Sequence, residues 1–136
     1  MKLSYLVNEL RSRINDIGHY NTFVIKELAD NKAKKKKFAE IPIIDVVLDD
    51  IGEEINIIPN ENVSEKASLT VAQLLEKLHQ FMPKAADYHI FVSHPTANLD
   101  KKYAPRIDVP IVAHAFDESG CSFALIERAS KTDKKT

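Results

Sequence analysis

Residues 41–58 read IPIIDVVLDDIGEEINII, and residues 109–126 read VPIVAHAFDESGCSFALI. Both stretches open on a β-branched residue, a proline and an isoleucine, and both place Asp-x-x-Gly between two apolar runs (Asp49 to Gly52; Asp117 to Gly120). Aspartate at the first turn position and glycine at the fourth predict a type I turn closed by a left-handed glycine, so each stretch reads as a β-hairpin. Proline is tolerated where a missing N–H costs least, which puts Pro42 and Pro110 at strand starts.

The correspondence extends outward from the hairpins. Moving the chain by 68 positions aligns residues 1–58 with residues 69–126 without a gap and yields 12 identities in 58 positions, against roughly three or four from ordinary composition. Among them are Leu6 with Leu74, Tyr20 with Tyr88, Phe23 with Phe91, Pro42 with Pro110 and Gly52 with Gly120. Leu3, Leu6, Val7, Leu10 and Ile14 recur at helical spacing, and Val71, Leu74, Leu75, Leu78 and Met82 repeat the stripe. Thr70 and Gln73 form a capping box at the start of the second helix, while Gly18 and Pro83 mark the two end regions. A strand follows each helix, Tyr20 to Lys26 and Tyr88 to His94, rich in β-branched and aromatic residues. A long polar loop then leads to each hairpin.

The fold expected is therefore α+β, a tandem duplication of an αβββ module. Residues 1–58 and 69–126 are the modules, 59–68 a polar linker, and 127–136 a lysine-containing disordered tail. Two helices would pack on about six mostly antiparallel strands with a pseudo-twofold axis and one shared core, since 136 residues suit one ordinary domain better than two very small ones.

Composition narrows the function classes. Apolar residues make up 44% and charged residues 29% of the chain, as in a folded soluble protein. No run approaches a membrane span, and charges interrupt the N-terminal MKLSYLVNELRSRI, so the expected location is the cytoplasm, with no membrane partner. The single cysteine, Cys121, excludes an intrachain disulfide. A net charge of −1 supplies no overall field for nucleic acid, so electrostatic binding has to be local.

One local feature is the run Lys32, Lys34, Lys35, Lys36 and Lys37, whose counterpart in the second half holds Lys101, Lys102 and Arg106. Paired basic loops of this kind could grip phosphates, and nucleic-acid binding is the alternative function carried forward. A solvated loop is the preferred reading, because neither segment interleaves aromatics. His89 and His94 lack zinc spacing and, on alternating strand faces, point to opposite sides; both read as surface residues. Cys121 and His114 lie on adjacent strands of the second hairpin and could in principle pair as nucleophile and base, a second alternative in which the protein is an enzyme. Nothing orients that base or supplies an oxyanion hole. Asp49, Asp50, Glu53 and Glu54 lack the rhythm of a calcium loop. No metal, cofactor or catalytic residue is assigned.

The segment Leu69 to Ser93, LTVAQLLEKLHQFMPKAADYHIFVS, resembles the opening of small proteins common in bacteriophages and prophages: Thr-Val, an amphipathic helix, a proline-containing turn and an apolar strand. The resemblance implies an accessory protein of a phage or mobile element that binds a host or phage component; modulation or inhibition of a host factor, in the host cytoplasm, is the function expected. It transfers no functional residues. The leading expectation is a non-catalytic protein-binding module using open sheet edges to add a partner strand, with homodimerisation a further expectation.

Overall fold

The first helix, α1 (Leu3–Ile17), forms on the predicted stripe, with Leu3, Leu6, Val7 and Leu10 fully buried. The structure is a computed structural model in which residues 1–28, 37–60, 67–95 and 106–128 are described. After α1 come β1 (Asn21–Leu28), β2 (Lys37–Asp49) and β3 (Glu54–Pro59), then α2 (Val71–His79), the one-turn α3 (Met82–Ala85), β4 (His89–Pro95), β5 (Arg106–Asp117) and β6 (Ser122–Glu127). Thr70 caps α2 as its sequence predicts, its side chain accepting from Gln73 N while Gln73 Oε1 accepts from Thr70 N. Pro83 lies in the first turn of α3, where its missing N–H is not needed.

The six strands close into a barrel in the order β1-β2-β3-β4-β5-β6, which corrects the expected α+β arrangement of helices on an open or divided sheet. Strand length is the physical reason. The segments from Lys37 and from Arg106, read as polar loops, are strand, so β2 and β5 run for 13 and 12 residues. Each is long enough to turn a corner. The first part of β2 pairs with β1 (Phe23↔Pro42 to Leu28↔Lys37) and the second with β3 (Asp45↔Ile58 to Asp49↔Glu54), with an irregularity between Ile43 and Asp45. Bulges of this kind bend a strand and let one sheet pass into the next. β5 does the same between Ile111 and Ala113, and the β4–β5 register repeats the β1–β2 register at positions 68 higher, Phe23↔Pro42 becoming Phe91↔Pro110. Pro42 and Pro110 therefore sit at corners within long strands, not at strand starts. Their carbonyls accept from Asn60 N at 2.7 Å and Arg128 N at 2.8 Å.

Closure removes the open edges on which strand addition would depend. β1 pairs with β6 and β3 with β4 in parallel, while the other neighbours are antiparallel. It follows that β1, β3, β4 and β6 start at one end of the barrel. The helices are hydrogen-bonded at that end, and each docks on the strand of the other half. Leu3 N donates to Tyr88 O beside β4, whereas Val71 N donates to Tyr20 O beside β1.

Val24, Ile55, Ile57, Ile90, Val92, Phe123 and Leu125 point inward and meet both helical stripes in one core. Burying each such side chain stabilises by roughly 2 kcal/mol. The turns differ from expectation in one respect. Gly52 and Gly120 have ordinary backbone, and the left-handed residues are the next ones, Glu53 (φ 55°) and Cys121 (φ 50°). Glycine is needed for space instead. A Cβ on Gly52 would lie 2.7 Å from Asp49 Oδ2, and one on Gly120 would lie 2.8 Å from Asp117 Oδ2, because each carboxylate folds over the turn to accept the glycine N–H.

Candidate partner-binding face

The strand ends that bracket the two basic segments, Leu28 and Lys37, and Pro95 and Arg106, lie at the same barrel end, opposite the helices. Lys32, Lys34, Lys35, Lys36, Lys101 and Lys102 fall outside the described residues, as does the side chain of Lys37. Arg106 is engaged by its own wall. Its Nε donates to Ser93 Oγ at 2.7 Å and its Nη2 to Ser93 O at 2.5 Å, and Ser93 beneath it is buried.

The corresponding position in the first half, 68 residues earlier, is Phe38, and it is open. Ile126, Ile25 and Glu40 form a row across β6, β1 and β2, with Ile25 paired to both neighbours. Phe38 stands beside that row, 56% exposed. These four residues line a groove of about 790 Å³ on the outer wall. Glu27 is the cross-strand neighbour of Phe38, so carboxylates and apolar side chains alternate over this patch. Sequence reading missed the groove because Ile126 joins Ile25, Phe38 and Glu40 only through the pairing of β1 with β6, the first and last strands.

A second polar site lies inside the barrel. His94 Nε2 is 2.6 Å from Glu127 Oε1, with side-chain exposures of 7% and 6%. This corrects the surface reading of His94. The alternation Ile90, Val92, His94 continues the inward face of β4, and Phe123, Leu125, Glu127 continues that of β6, a signal already present in the sequence. His89, on the other face, is exposed.

Cys121 and His114 are not brought together. His114 is paired with Leu125, three positions before the Asp117↔Ser122 pair beyond which the turn carrying Cys121 begins. Its ring packs among Tyr5, Phe116 and Phe123, with Nε2 3.7 Å from Glu9 Oε1. Cys121 is exposed, its Sγ 3.7 Å from Glu118 O. Among the described residues no three His, Cys, Asp or Glu side chains gather into a metal site.

The acidic turn residues have structural duties. Asp50 accepts from Lys84 Nζ at 2.6 Å and from the Tyr88 hydroxyl at 3.3 Å, tying α3 to the β2–β3 turn; the Asp50 bond raises the Lys84 pKa. Hydrogen bonds from Ser119 and from Gly120 N hold the Asp117 carboxyl below its usual range. Burial pushes the Glu54 carboxyl up to about 7, helped by a hydrogen bond shared with Asp108 and by the charges of Asp108 and Asp49. Glu54 Oε1 and Asn56 Oδ1, two residues apart on β3, are buried acceptors without a hydrogen-bond partner among the described residues.

The chain matches no family model, no curated protein and no solved structure. No helix among the described residues is long and apolar enough to cross a membrane.

Proposed function

We propose that this chain is a non-catalytic binding protein that holds a protein partner in the groove of Ile25, Phe38, Glu40 and Ile126. The observation that carries the reading is the contrast between the two halves. Where the second half closes the wall with Arg106 bonded to Ser93, the first half leaves Phe38 exposed over Ile25 and Ile126. The same ladder forms in both halves, so folding does not require an exposed phenyl ring there. An exposed apolar side chain that folding does not require fits a contact surface. In this reading the partner is a host factor and the protein a phage or mobile-element accessory that modulates or inhibits it.

The test compares proteins retained from a bacterial host lysate, treated with nuclease, by immobilised parent, Phe38→Ser and Ile51→Ser chains. Ile51 is 99% exposed in the β2–β3 turn and serves as an apolar surface control. A partner held by parent and Ile51→Ser but lost with Phe38→Ser supports the reading; equal retention by all three refutes it.

A second reading, nucleic-acid binding, is favoured by the common barrel end of the strands that bracket both basic segments. It requires binding to a DNA or RNA oligonucleotide that weakens steeply with salt and is lost when Lys34 to Lys37 become serine.

A further inference from the structure

The chemistry of the groove narrows what can enter it. Ile25 and Ile126 form an apolar floor, and Phe38 an apolar flank. Glu40 is opposite Ile25 and Glu27 opposite Phe38 on the same outer face, giving a checkerboard of two apolar and two acidic side chains over two strands. Among the described residues neither Glu27 nor Glu40 has an ion-pair partner. An occupant that was apolar throughout would bring apolar surface against both carboxylates without compensating their charge. An acidic one would be repelled.

The second half contains a worked instance of what fits such a wall. At the position equivalent to Phe38, Arg106 turns its guanidinium onto Ser93, with Asp108 two residues further along the same face of β5. An arginine offers an alkyl stem to cover apolar surface and a cationic head to meet polar groups at its margin. In the first half no side chain of the described residues plays that part.

We infer that the partner presents a surface on which arginine or lysine side chains are interspersed with apolar ones, the apolar side chains seated on Ile25, Phe38 and Ile126 and the cations facing Glu27 and Glu40. This rests on the groove being the partner-binding face. A second copy of the chain is the competing occupant, and the experiment separates the two.

The isotopically labelled full chain is titrated, with amide shifts recorded, with the peptide acetyl-Leu-Arg-Leu-Arg-Leu-amide and with its counterpart carrying citrulline at both arginine positions. The arginine peptide shifts the amides of Ile25, Glu27, Phe38 and Glu40 and binds about fivefold more tightly than the citrulline peptide, the scale of two exposed ion pairs. The double variant Glu27→Gln/Glu40→Gln, with an unchanged circular-dichroism melt, removes that advantage and leaves citrulline-peptide binding as it was. Equal binding of the two peptides at these amides overturns the requirement for a cation while the groove stands as a binding face. No shift at these amides with either peptide overturns the groove itself. Sedimentation showing a dimer that Phe38→Ser dissociates assigns the groove to a second copy and overturns the inference.

Discussion

His94 Nε2 and Glu127 Oε1 face each other at 2.6 Å across the interior of the barrel, one at the end of β4 and the other at the end of β6. Removing the imidazole leaves the Glu127 carboxylate without this contact in a poorly solvated site, so His94→Ala lowers unfolding stability by about 3 kcal/mol. His94→Ala/Glu127→Ala costs less than the sum of the single changes, because no buried Glu127 carboxylate then remains without its imidazole. Urea unfolding of the four proteins measures the coupling; strict additivity would show that the contact contributes nothing of its own.

The two turns place their strain one residue after the glycine. Cys121→Gly relieves a left-handed backbone and raises stability by about 1 kcal/mol, whereas Gly120→Ala, whose Cβ would press on Asp117 Oδ2, lowers it by at least about 1 kcal/mol. Thermal melts under reducing conditions decide, and a destabilised Cys121→Gly protein would contradict the assignment.

The Glu54 carboxyl ties stability to pH. Its pKa in the fold is about 7 against an ordinary 4.5, so between those values the folded chain binds more protons than the unfolded one. Stability from this group therefore falls as pH rises from about 4.5 to 7 and is flat beyond. Its size, after allowance for solvent screening, is of the order of 1 kcal/mol. Glu54→Gln flattens the corresponding part of the profile and is more stable than the parent at pH 7.5; parallel profiles across pH 4.5–7.5 would remove the effect.

Thr70 supplies the side chain that receives Gln73 N at the start of α2. Thr70→Ala leaves that donor without its cap and costs about 1 kcal/mol, while Thr70→Asp retains most of the stability. Chemical denaturation of both variants distinguishes loss of the cap from a general intolerance at this position.

Much of the local structure was legible in the residues. The first helical stripe, the capping box and the positions of both Asp-x-x-Gly turns stand where periodicity and turn chemistry place them, whereas Met82 of the second stripe falls in α3 and the left-handed turn residues are Glu53 and Cys121, not the glycines. What hid the barrel was the stretch KFAEIP from Lys37 to Pro42: its charges and proline resemble a loop when the chain is read alone. In the fold its outward positions, Phe38 and Glu40, face solvent, while Pro42 sits at a corner. Closure itself depends on pairings such as Asn21↔Ser122, between segments whose local patterns say nothing about one another. The groove was hidden for the same reason. His94 and Glu127 were readable from alternation, but a histidine or glutamate at the end of a strand is ordinarily solvent-facing, and only the opposing strand reveals the partner.

The exchanged docking of the helices governs how the chain can be made. When residues 1–68 have left the ribosome, α1 has no β4 to receive Leu3, and β1 has neither α2 nor β6 beside it. The first half must wait with its leucine stripe uncovered, and the barrel cannot seal until β6, the last described element, has emerged. Synthesis thus passes through a stage that is exposed to aggregation and to pairing between nascent chains, and completion of the barrel needs all six strands at once.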